Sequence, residues 1–171
     1  THVHLSQTNH HSSPPHVQIP RQYNAAYDLL QRNASRPNKL AYIDAISGEQ
    51  LTYGELTDQC WRFANALRAQ DFEPETRVML CMLDTPQWVV AFLGCMLAGV
   101  VPIATNTLLT TKDFDYMLRD SRAKALIVSQ ALLPAFEALI GHIDTLQTVI
   151  VAGQAHGGSH LSMDALIQGA S

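Results

Sequence analysis

The fold is decided by residues 77–106, RVMLCMLDTPQWVVAFLGCMLAGVVPIATN. Their pattern predicts a buried strand, a capped and almost wholly apolar helix, and a second buried strand. Gly94, Gly99 and Pro102 interrupt the apolar run from Trp88 to Ala104, whereas a membrane-spanning helix needs about 20 consecutive apolar residues. The run therefore predicts a helix followed by a strand rather than a membrane span.

The helix in this stretch is expected to be roughly 14 residues long and to end at Gly99, because glycine suits the left-handed conformation of a helix C-cap. Asp84 or Thr85 is expected to supply the N-cap oxygen, and Pro86 fits the first helical position, where its missing N–H costs nothing. The following strand is expected to start at Val100. A helix that is apolar on every side must be covered on every side, which places it at the centre of a layered α/β domain.

The composition indicates one domain, part of whose surface is covered by another structure. A chain of 171 residues is long enough to bury about 70% of the surface of its unfolded state. Only 15% of the residues are charged, where about 25% is typical of a free-standing domain, so part of the surface is expected to be covered. The net charge of −4 and the singly scattered Lys and Arg argue against nucleic acid and against an anionic membrane surface as partners.

The three cysteines, Cys60, Cys81 and Cys95, all fall within apolar helix or strand patterns. Their number is odd and their spacing does not resemble a zinc site, so we expect reduced core residues that behave as small hydrophobes. Reduced cysteines favour a reducing compartment, and the first residues show no apolar segment of a secretory signal. We therefore expect a cytoplasmic protein.

Residues 1–20 are expected to be a disordered leader, because their Ser, Pro, Asn and His cannot bury enough apolar surface to offset the entropy of ordering. Residues 21–171 are expected to form one α/β unit. Histidine clusters can bind metal, but no acidic or cysteine partner fixes a geometry in the leader, so no metal site is expected there. Five of the eight histidines lie in it: His2, His4, His10, His11 and His16.

Strand and helix patterns alternate along the rest of the chain, which predicts right-handed βαβ crossovers and a mostly parallel sheet with flanking helices. Two capping boxes, Thr52 with Glu55 and Thr110 with Asp113, start two of the helices, and a small antiparallel β-hairpin precedes the first box. The predicted elements are helix 25–31 after Asn24, hairpin 40–44 with 50–52, helix 53–69, strands 78–83, 100–105, 125–128 and 148–152, a helix through residues 132–140 that Gly141 ends, and a last helix after Ser162.

The sequence holds no constellation for covalent chemistry. It has neither a G-x-S-x-G nucleophile elbow nor a G-x-x-x-x-G-K-S/T phosphate cradle. The turn after the first buried strand carries Asp84, whose charge would repel an anion. Loop 153–160 is rich in glycine without the G-x-G-x-x-G spacing, so a flexible connection is favoured over a phosphate site. We therefore predict no catalytic, cofactor-binding or metal-ligating residue in this chain.

Three blocks together strongly resemble the start of the adenylate-forming superfamily: LTYGEL (51–56), LAGVVPIATN (97–106) and YMLRDSRAKALIVS (116–129). This superfamily includes acyl- and aryl-CoA ligases, the adenylation domains of peptide synthetases, and luciferases. Within it, YNAAYDLL (23–30) and the block 105–129 look most like benzoate-CoA ligases and close aryl relatives. The resemblance covers residues 19–171.

The resemblance implies an ATP-dependent ligase that works in two half-reactions. A carboxylate such as benzoate attacks ATP, with Mg2+, to give an acyl-adenylate and pyrophosphate, and the thiol of CoA then displaces AMP. The family's phosphate loop ending in Pro-Lys-Gly, its nucleotide- and magnesium-holding motifs and its C-terminal lysine lie downstream and have no counterpart here. The chain therefore looks like an N-terminal fragment whose partner is the remainder of its parent, and by itself it is expected to be inactive.

One turn of the chain lies near a ligand if the resemblance holds. CoA-forming relatives place the turn that matches Thr105-Asn106-Thr107 near the pantetheine tunnel. Some relatives hold the CoA 3′-phosphate with arginines after the strand that matches 125–128, but QALLPAF (130–136) has none, so that role does not transfer. An uncovered apolar face also predicts self-association of the fragment. Two alternatives stay open: a stand-alone α/β binding or interaction module, and a flavodoxin-like nucleotide binder.

Overall fold

The computed structural model describes residues 5–153 and 159–171. Helices and strands alternate along this part of the chain, which confirms the predicted α/β class. The elements are β1 Gln7–Asn9, β2 His16–Gln18, α1 Ala25–Arg32, β3 Leu40–Ile43, β4 Gln50–Thr52, α2 Tyr53–Ala69, β5 Arg77–Cys81, α3 Pro86–Ala98, β6 Val101–Ala104, α4 Thr111–Ser121, β7 Ala125–Ser129, the 3₁₀ segment Gln130–Ala135, β8 Thr148–Ala152, β9 Leu161–Ser162 and α5 Met163–Gly169.

A five-stranded sheet of order β6-β5-β7-β8-β9 forms the centre of the fold, and all of its neighbouring strands are parallel. In β5, Val78 lies opposite Pro102 of β6 on one side and Ala125 of β7 on the other. The chain runs from β5 outward to β6 and then back past β5 to β7. Right-handed crossovers in opposite directions place α3 and α4 on opposite faces, so the predicted layered sheet is confirmed.

Each face of the sheet carries its own apolar core. Val78 and Leu80 of β5 belong to the core that contains residues of α2, α3 and α5, whereas Met79 and Cys81 belong to the core that contains residues of α4. All four side chains are fully buried. This alternation is what a strand covered on both faces requires, and it explains why β5 reads as a continuous apolar run.

Helix α3 has the ends that its sequence predicts. It spans Pro86–Ala98, and Gly99 follows with a φ of 79°, in the left-handed region. Thr85 is the N-cap residue, but its side chain makes no cap hydrogen bond because its hydroxyl faces the carbonyl of the preceding loop, so the predicted N-cap oxygen is wrong. α3 lies close to α2 at Gly94, where an added Cβ would lie 2.9 Å from Phe63 Cδ1.

The cover over α3 is incomplete within the described residues. The sheet and α2 bury most of the helix, but one stripe, formed by Trp88, Val89, Phe92 and Met96, is only half-buried. Spacings of three and four residues keep these side chains on one side, and the Trp88 ring stacks on Phe92 with centroids 5.0 Å apart. The expectation that α3 is covered on every side is therefore wrong for this stripe, because α1 and the hairpin β3–β4 reach only its margins.

Strands β3 and β4 form the predicted antiparallel hairpin, with Ile43 opposite Gln50. The turn is held by Asp44, whose carboxylate accepts the backbone amides of Ile46 at 2.8 Å and Ser47 at 3.2 Å. These hydrogen bonds lower the pKa of Asp44. The hairpin is therefore a defined local structure, although it is not hydrogen-bonded to the central sheet as a strand pair.

Local capping explains where the predicted helices begin. The Thr52 hydroxyl accepts the amide of Glu55 at 3.3 Å, and the Glu55 carboxylate accepts the amide of Thr52 at 2.9 Å. Thr110 and Asp113 make the same reciprocal pair at the start of α4. Asn24 caps α1 through its side-chain oxygen. Both predicted capping boxes and the Asn24 cap are confirmed.

Strand β6 lies at the edge of the sheet rather than in its interior. Val101 is exposed, and Pro102 and Ile103 are half-buried, so the prediction of a second buried strand is wrong. Its apolar residues suit a strand that packs on the core with one face and pairs with one neighbouring strand, β5. The amides of Val101 and Thr105 donate to the β5 side, so Pro102 occupies a position that faces away from β5, where its missing N–H leaves no ladder bond unmade.

The predicted helix through residues 132–140 is wrong. Gln130–Ala135 form a 3₁₀ segment, and turns follow it, because Pro134 cannot donate the amide proton that an α-helix needs at this point. The apolar side chains of this segment nevertheless pack in the core, as expected. Phe136 is fully buried, and its ring stacks on Phe114 of α4 with centroids 4.5 Å apart.

A short fifth strand follows the one that we predicted to be last. β9 pairs parallel with β8 and places Leu161 opposite Ile150. A run of two residues is too short to show periodicity, so this strand could not be predicted from its pattern. The predicted cap of the final helix is confirmed, since the Ser162 side chain accepts the amide of Ala165 at 3.3 Å.

Residues 5–20 contact α1, where the sequence predicts a disordered leader. Strands β1 and β2 pair with Thr8 opposite Val17, and both strands are exposed. The contact to the rest of the chain comes from Ser6, whose amide and hydroxyl donate to one carboxylate oxygen of Asp28 at 3.2 and 2.5 Å. A contact across 22 positions leaves no trace in local composition, which is why this hairpin was not expected.

A helix that crosses a membrane must be about 20 residues long and predominantly apolar. Within residues 5–153 and 159–171, no helix is both long enough and apolar enough to cross a bilayer. This agrees with the glycine and proline interruptions of the apolar run in the sequence.

Candidate functional site

The carboxyl ends of the parallel strands form the edge of the sheet where ligands bind in open α/β folds. Loops leave this edge after Cys81 of β5, Ala104 of β6, Ser129 of β7 and Ala152 of β8. The chain leaves β5 for β6 on one side and later returns to β7 on the other. The crevice between the β5 and β7 loops is therefore the topological switch point, and it is the first place to look for a site.

Hydrogen bonds close this crevice. The Ser129 hydroxyl accepts the amide of Leu83 at 2.9 Å, so the β5 and β7 loops are joined directly. Beside them, Thr105 donates its amide at 3.0 Å and its hydroxyl at 2.8 Å to the Leu80 carbonyl. The predicted ligand turn 105–107 therefore begins with a residue that is fixed to the sheet.

The amino end of α3 faces the same edge but is not built for an anion. The loop before it carries Asp84 and contains no glycine, as the sequence predicts. The Asp84 carbonyl accepts the Tyr42 hydroxyl at 3.0 Å, which ties the loop to the hairpin β3–β4. A phosphate at this helix end would meet the Asp84 charge, and the absence of a phosphate cradle stays a prediction.

Most of the glycine-rich loop after β8 lies outside the described residues, which omit 154–158. Gly153, its first residue, has a φ of 110° and lies against Gln130: an added Cβ would be 3.6 Å from Gln130 Oε1. The loops after β7 and β8 are therefore in contact. The prediction that loop 153–160 is a flexible connection stays a prediction.

The cysteines are core residues, as predicted. Cys60, Cys81 and Cys95 are free and buried. Burial raises the pKa of Cys60 and Cys95 to about 12, and it also raises the pKa of Cys81, although a hydrogen bond with Thr105 acts in the opposite direction. Thiols of such high pKa are protonated at neutral pH and are poor nucleophiles.

Carboxylates that are close in sequence have structural roles or are solvated. Asp113 belongs to a capping box, and its exposed neighbour Asp115 pairs with Arg119 at 2.9 Å. Arg119 also donates to the carbonyl of His142. Across residues 5–153 and 159–171, no group of three His, Cys, Asp or Glu side chains could hold a metal ion. The prediction that this chain holds no catalytic, cofactor-binding or metal-ligating residue stays a prediction.

Asp28 is a buried carboxylate within a polar cluster that the sequence did not predict. Burial alone would raise its pKa, but hydrogen bonds from Ser6 and Tyr23 and the nearby Arg32 guanidinium lower the pKa to about 2. Tyr23 donates at 2.8 Å, and Arg32 Nε lies 2.6 Å from the second carboxylate oxygen. The i, i+4 spacing of Asp28 and Arg32 was the available signal. The cluster fixes the leader to α1 and faces no crevice of the sheet.

Surface grooves lie away from the carboxyl edge. One of about 350 Å³ runs between the end of α2 and α5. Another, of about 220 Å³, lies between α1 and the start of α2 and is lined in part by Tyr27, Tyr53 and Trp61. Trp61 is exposed, whereas Trp88 is half-buried and stacks on Phe92. The two tryptophans therefore have different environments.

Comparison with known proteins identifies the fold and the family. A profile described as "AMP-binding enzyme" matches residues 29–166, most of the chain. The chain belongs to the AMP-binding enzyme family. The benzoate–CoA ligase of Thauera aromatica is 46% identical over 154 residues, which are 88% of this chain and 29% of that protein. The resemblance to aryl-CoA ligases that the sequence blocks carry is thereby confirmed.

Solved structures of AMP-binding family members show the same architecture. An anthranilate CoA ligase in complex with anthranoyl-AMP matches with a TM-score of 0.82 and 32% identity over 89% of this chain and 29% of that one. A benzoate CoA ligase from Burkholderia xenovorans LB400 matches with a TM-score of 0.77 and 40% identity over 87% of this chain and 29% of that one. The chain thus spans less than a third of the length of each of these three relatives.

Proposed function

We propose that the chain is the N-terminal portion of an ATP-dependent aryl-CoA ligase that acts on benzoate or a related aryl carboxylate. The observation that carries this proposal is the 46% identity to a benzoate–CoA ligase over 88% of the chain. The 40% identity to a second benzoate CoA ligase, at a TM-score of 0.77, supports the same substrate class. The parent would form an acyl-adenylate from the acid and ATP with Mg2+, and then the thioester with CoA.

In this proposal the chain by itself catalyses nothing. Transition-state charge on a transferring phosphoryl group must be stabilised by cations or oriented amides, and the carboxyl edge of the sheet offers the Asp84 carboxylate and a crevice closed by Ser129 and Leu83 instead. The chain's contribution is a scaffold. ATP, Mg2+ and CoA belong to the parent, and residues 21–171 are one structural unit of it.

The turn 105–107 is the part of this chain that we propose to line the path of CoA. Its position at the carboxyl edge suits a wall residue, because Thr105 is fixed by two hydrogen bonds to the Leu80 carbonyl. Asn106 orders the next residues by accepting the Leu108 amide at 2.9 Å. Such a turn can present backbone groups to a neutral pantetheine arm without moving.

We also propose that the protein is cytoplasmic, and that its covering partner is the remainder of the parent or a second copy of the chain. Free buried thiols are compatible with the reducing cytoplasm. The half-buried stripe of α3 supports both the remainder of the parent and a second copy as covering partners. The absence of a basic patch argues against nucleic acid.

The test is ATP–pyrophosphate exchange with benzoate. The 171-residue chain alone should show none, whereas the full-length parent should exchange in the presence of Mg2+. Turnover by material whose mass matches this polypeptide alone would contradict the proposal. The coding sequence after Ser171 gives an independent check, because a ligase requires a Ser/Thr/Gly-rich segment ending in Pro-Lys-Gly.

The strand order β6-β5-β7-β8-β9 favours one alternative, since it is the order of flavodoxin-like nucleotide binders. Calorimetry with ATP, AMP and FMN separates the two functions. We expect no binding, because the Ser129–Leu83 hydrogen bond closes the switch-point crevice. Binding of FMN by the chain alone would favour the alternative.

A further inference from the structure

We propose that the hairpin β3–β4 is a docking surface, and that its occupant is an extended segment from the remainder of the polypeptide lying along β3. This inference rests on the proposed function, since it requires a longer parent chain. It goes beyond that function by naming the surface and the form of the partner.

The hairpin exposes large apolar side chains where a solvated hairpin would carry polar ones. Leu40 and Ile43 of β3 are 41% and 56% exposed, and Ile46 at the turn is 99% exposed. Three large apolar side chains exposed on one short hairpin are more than the single hydrophobes of an ordinary surface. The hairpin is anchored in the core by the buried Leu51 of β4 and the half-buried Ala41 and Tyr42 of β3, which leaves Leu40 and Ile43 exposed.

This exposure is built into a fixed structure. The Tyr42 hydroxyl holds the Asp84 carbonyl at 3.0 Å, and the Tyr53 amide donates to the Lys39 carbonyl at 3.0 Å. Asp44 fixes the turn through two backbone amides. The apolar side chains are therefore presented in one arrangement, which lowers the entropy lost when a partner binds.

The outer edge of β3 is open to a partner strand. Asp44 donates its amide to the Glu49 carbonyl at 2.8 Å, toward the β4 side. Amides alternate sides along an antiparallel strand, so the N–H of Ile43 faces away from β4. The sheet edge at β6 is different, because Pro102 occupies an outward-facing position there. β3, by contrast, offers an outward N–H at Ile43 beside the exposed side chains of Leu40 and Ile43.

The size of the surface decides which occupant fits. Stable interfaces between free molecules bury about 1,200 Å² or more, and a strand of four residues with two exposed side chains cannot supply that area. A segment of the same polypeptide needs less, because its effective concentration is in the millimolar range. The relative from Thauera aromatica is matched over only 29% of its length, so the parent has ample chain for this role. A two-stranded sheet is also marginal alone and gains from a third strand.

The experiment mixes the 171-residue chain with the remaining, separately produced part of the Thauera aromatica benzoate–CoA ligase. Hydrogen exchange at single amides then reports on β3. In the chain alone, the Ile43 amide should exchange quickly while the Asp44 amide is protected. In the mixture, Ile43 should become protected at least tenfold.

Two substitutions at one position separate the backbone from the side-chain contribution. Ile43→Pro removes the outward N–H and should weaken association with the remainder at least tenfold. Ile43→Thr keeps the N–H and removes apolar area, and it should weaken association less. Val101→Thr is the matched control on the β6 edge, where the side chain is similarly exposed, and it should leave association unchanged.

The outcomes separate this inference from the proposed function. Ligase activity in the mixture while Ile43 still exchanges freely would overturn the docking surface and leave the proposed function standing. Protection of Ile43 in the chain alone would also overturn it, and a dimer in sedimentation would then identify a second copy as the occupant. If the two parts do not associate, the docking surface fails, whereas the proposed function is decided separately by ATP–pyrophosphate exchange in the full-length parent.

Discussion

The Ser129 hydroxyl accepts the Leu83 amide proton at 2.9 Å and thereby joins the two loops that diverge at the switch point of the sheet. Ser129 is buried, so Ser129→Ala leaves the Leu83 amide without this partner. We expect the free energy of unfolding to fall by about 1–2 kcal/mol, measured by urea denaturation. Ser129→Thr retains an acceptor and should lose less. Equal losses in the two variants would show that the hydrogen bond is not the cause.

The contact of α2 with α3 depends on the missing side chain of Gly94. In Gly94→Ala, the new Cβ would lie 2.9 Å from Phe63 Cδ1 and 3.2 Å from the Cys60 carbonyl oxygen. Gly169 in α5 is the control, because a Cβ there would meet nothing within 4 Å. Both substitutions gain helix propensity, so their difference isolates the contact: Gly94→Ala should be less stable than Gly169→Ala by about 1–3 kcal/mol. Equal stability in urea would contradict this packing.

Asp28 should make stability depend on acid. Its pKa in the folded chain is lowered from 3.8 to about 2, so its contribution is present above pH 4 and is lost as the pH falls from 4 to 2. Asp28→Asn lacks the titrating group, and the stability difference between wild type and variant should shrink over this range. Chemical denaturation at several pH values gives the measurement. A difference that is constant with pH would refute the carboxylate's role.

The same substitution should release the leader. Because Asp28 receives the amide and hydroxyl of Ser6, Asp28→Asn should increase hydrogen exchange in residues 5–20 while β5 and β7 stay protected. Asp115→Asn, which removes an exposed ion pair on α4, is the matched control. Unchanged exchange in the leader would mean that other contacts hold it.

Alkylation should distinguish the folded from the unfolded thiols. With a pKa of about 12, against 9.0 for an ordinary thiol, Cys60 and Cys95 have a thiolate fraction about a thousand times smaller at pH 8. Iodoacetamide should therefore leave both unmodified in the native chain and modify all three cysteines in urea, as read by mass spectrometry. Rapid native labelling of Cys95 would place it outside the core.

Two N-cap threonines offer a matched pair on one chain. Thr52→Ala removes the hydroxyl that accepts the Glu55 amide, one half of a capping box, and should cost about 1 kcal/mol of unfolding free energy. Thr85→Ala removes a side chain that makes no cap hydrogen bond, so it should cost less than half as much. Thermal or urea unfolding of the two variants decides the comparison, and equal losses would contradict the difference in their caps.

Local signals predicted most of the fold. Helix ends at Thr52, Thr110 and Gly99 depend on neighbours within four positions, and all three were placed correctly. Errors arose where the outcome depends on distant partners or on a single residue. An edge strand such as β6 has the same apolar letters as a central one, because sequence does not state how many neighbours a strand will have. Pro134 converted a helical pattern into a 3₁₀ segment.

For the site, the sequence could predict an absence and a family but not the arrangement. The residues around Asp84 contain no glycine-rich loop, so the sequence predicts that no phosphate cradle lies there. The structure adds the hydrogen bond between Ser129 and Leu83 at the same edge of the sheet. That hydrogen bond joins positions 46 residues apart, and the Ser6–Asp28 contact joins positions 22 apart. Such pairs carry no periodicity, so they become visible only when the strands are assembled.

The ring of Pro102 has a consequence for how this protein behaves in a crowded solution. Sheets that end in a complete row of amide donors can recruit identical molecules side by side and grow into fibrils. Here the row is broken in the middle of a four-residue strand, so a neighbouring copy arriving at β6 finds a gap in the template. Pro102 thus makes the β6 edge of the sheet a poor site for strand pairing between copies of the chain.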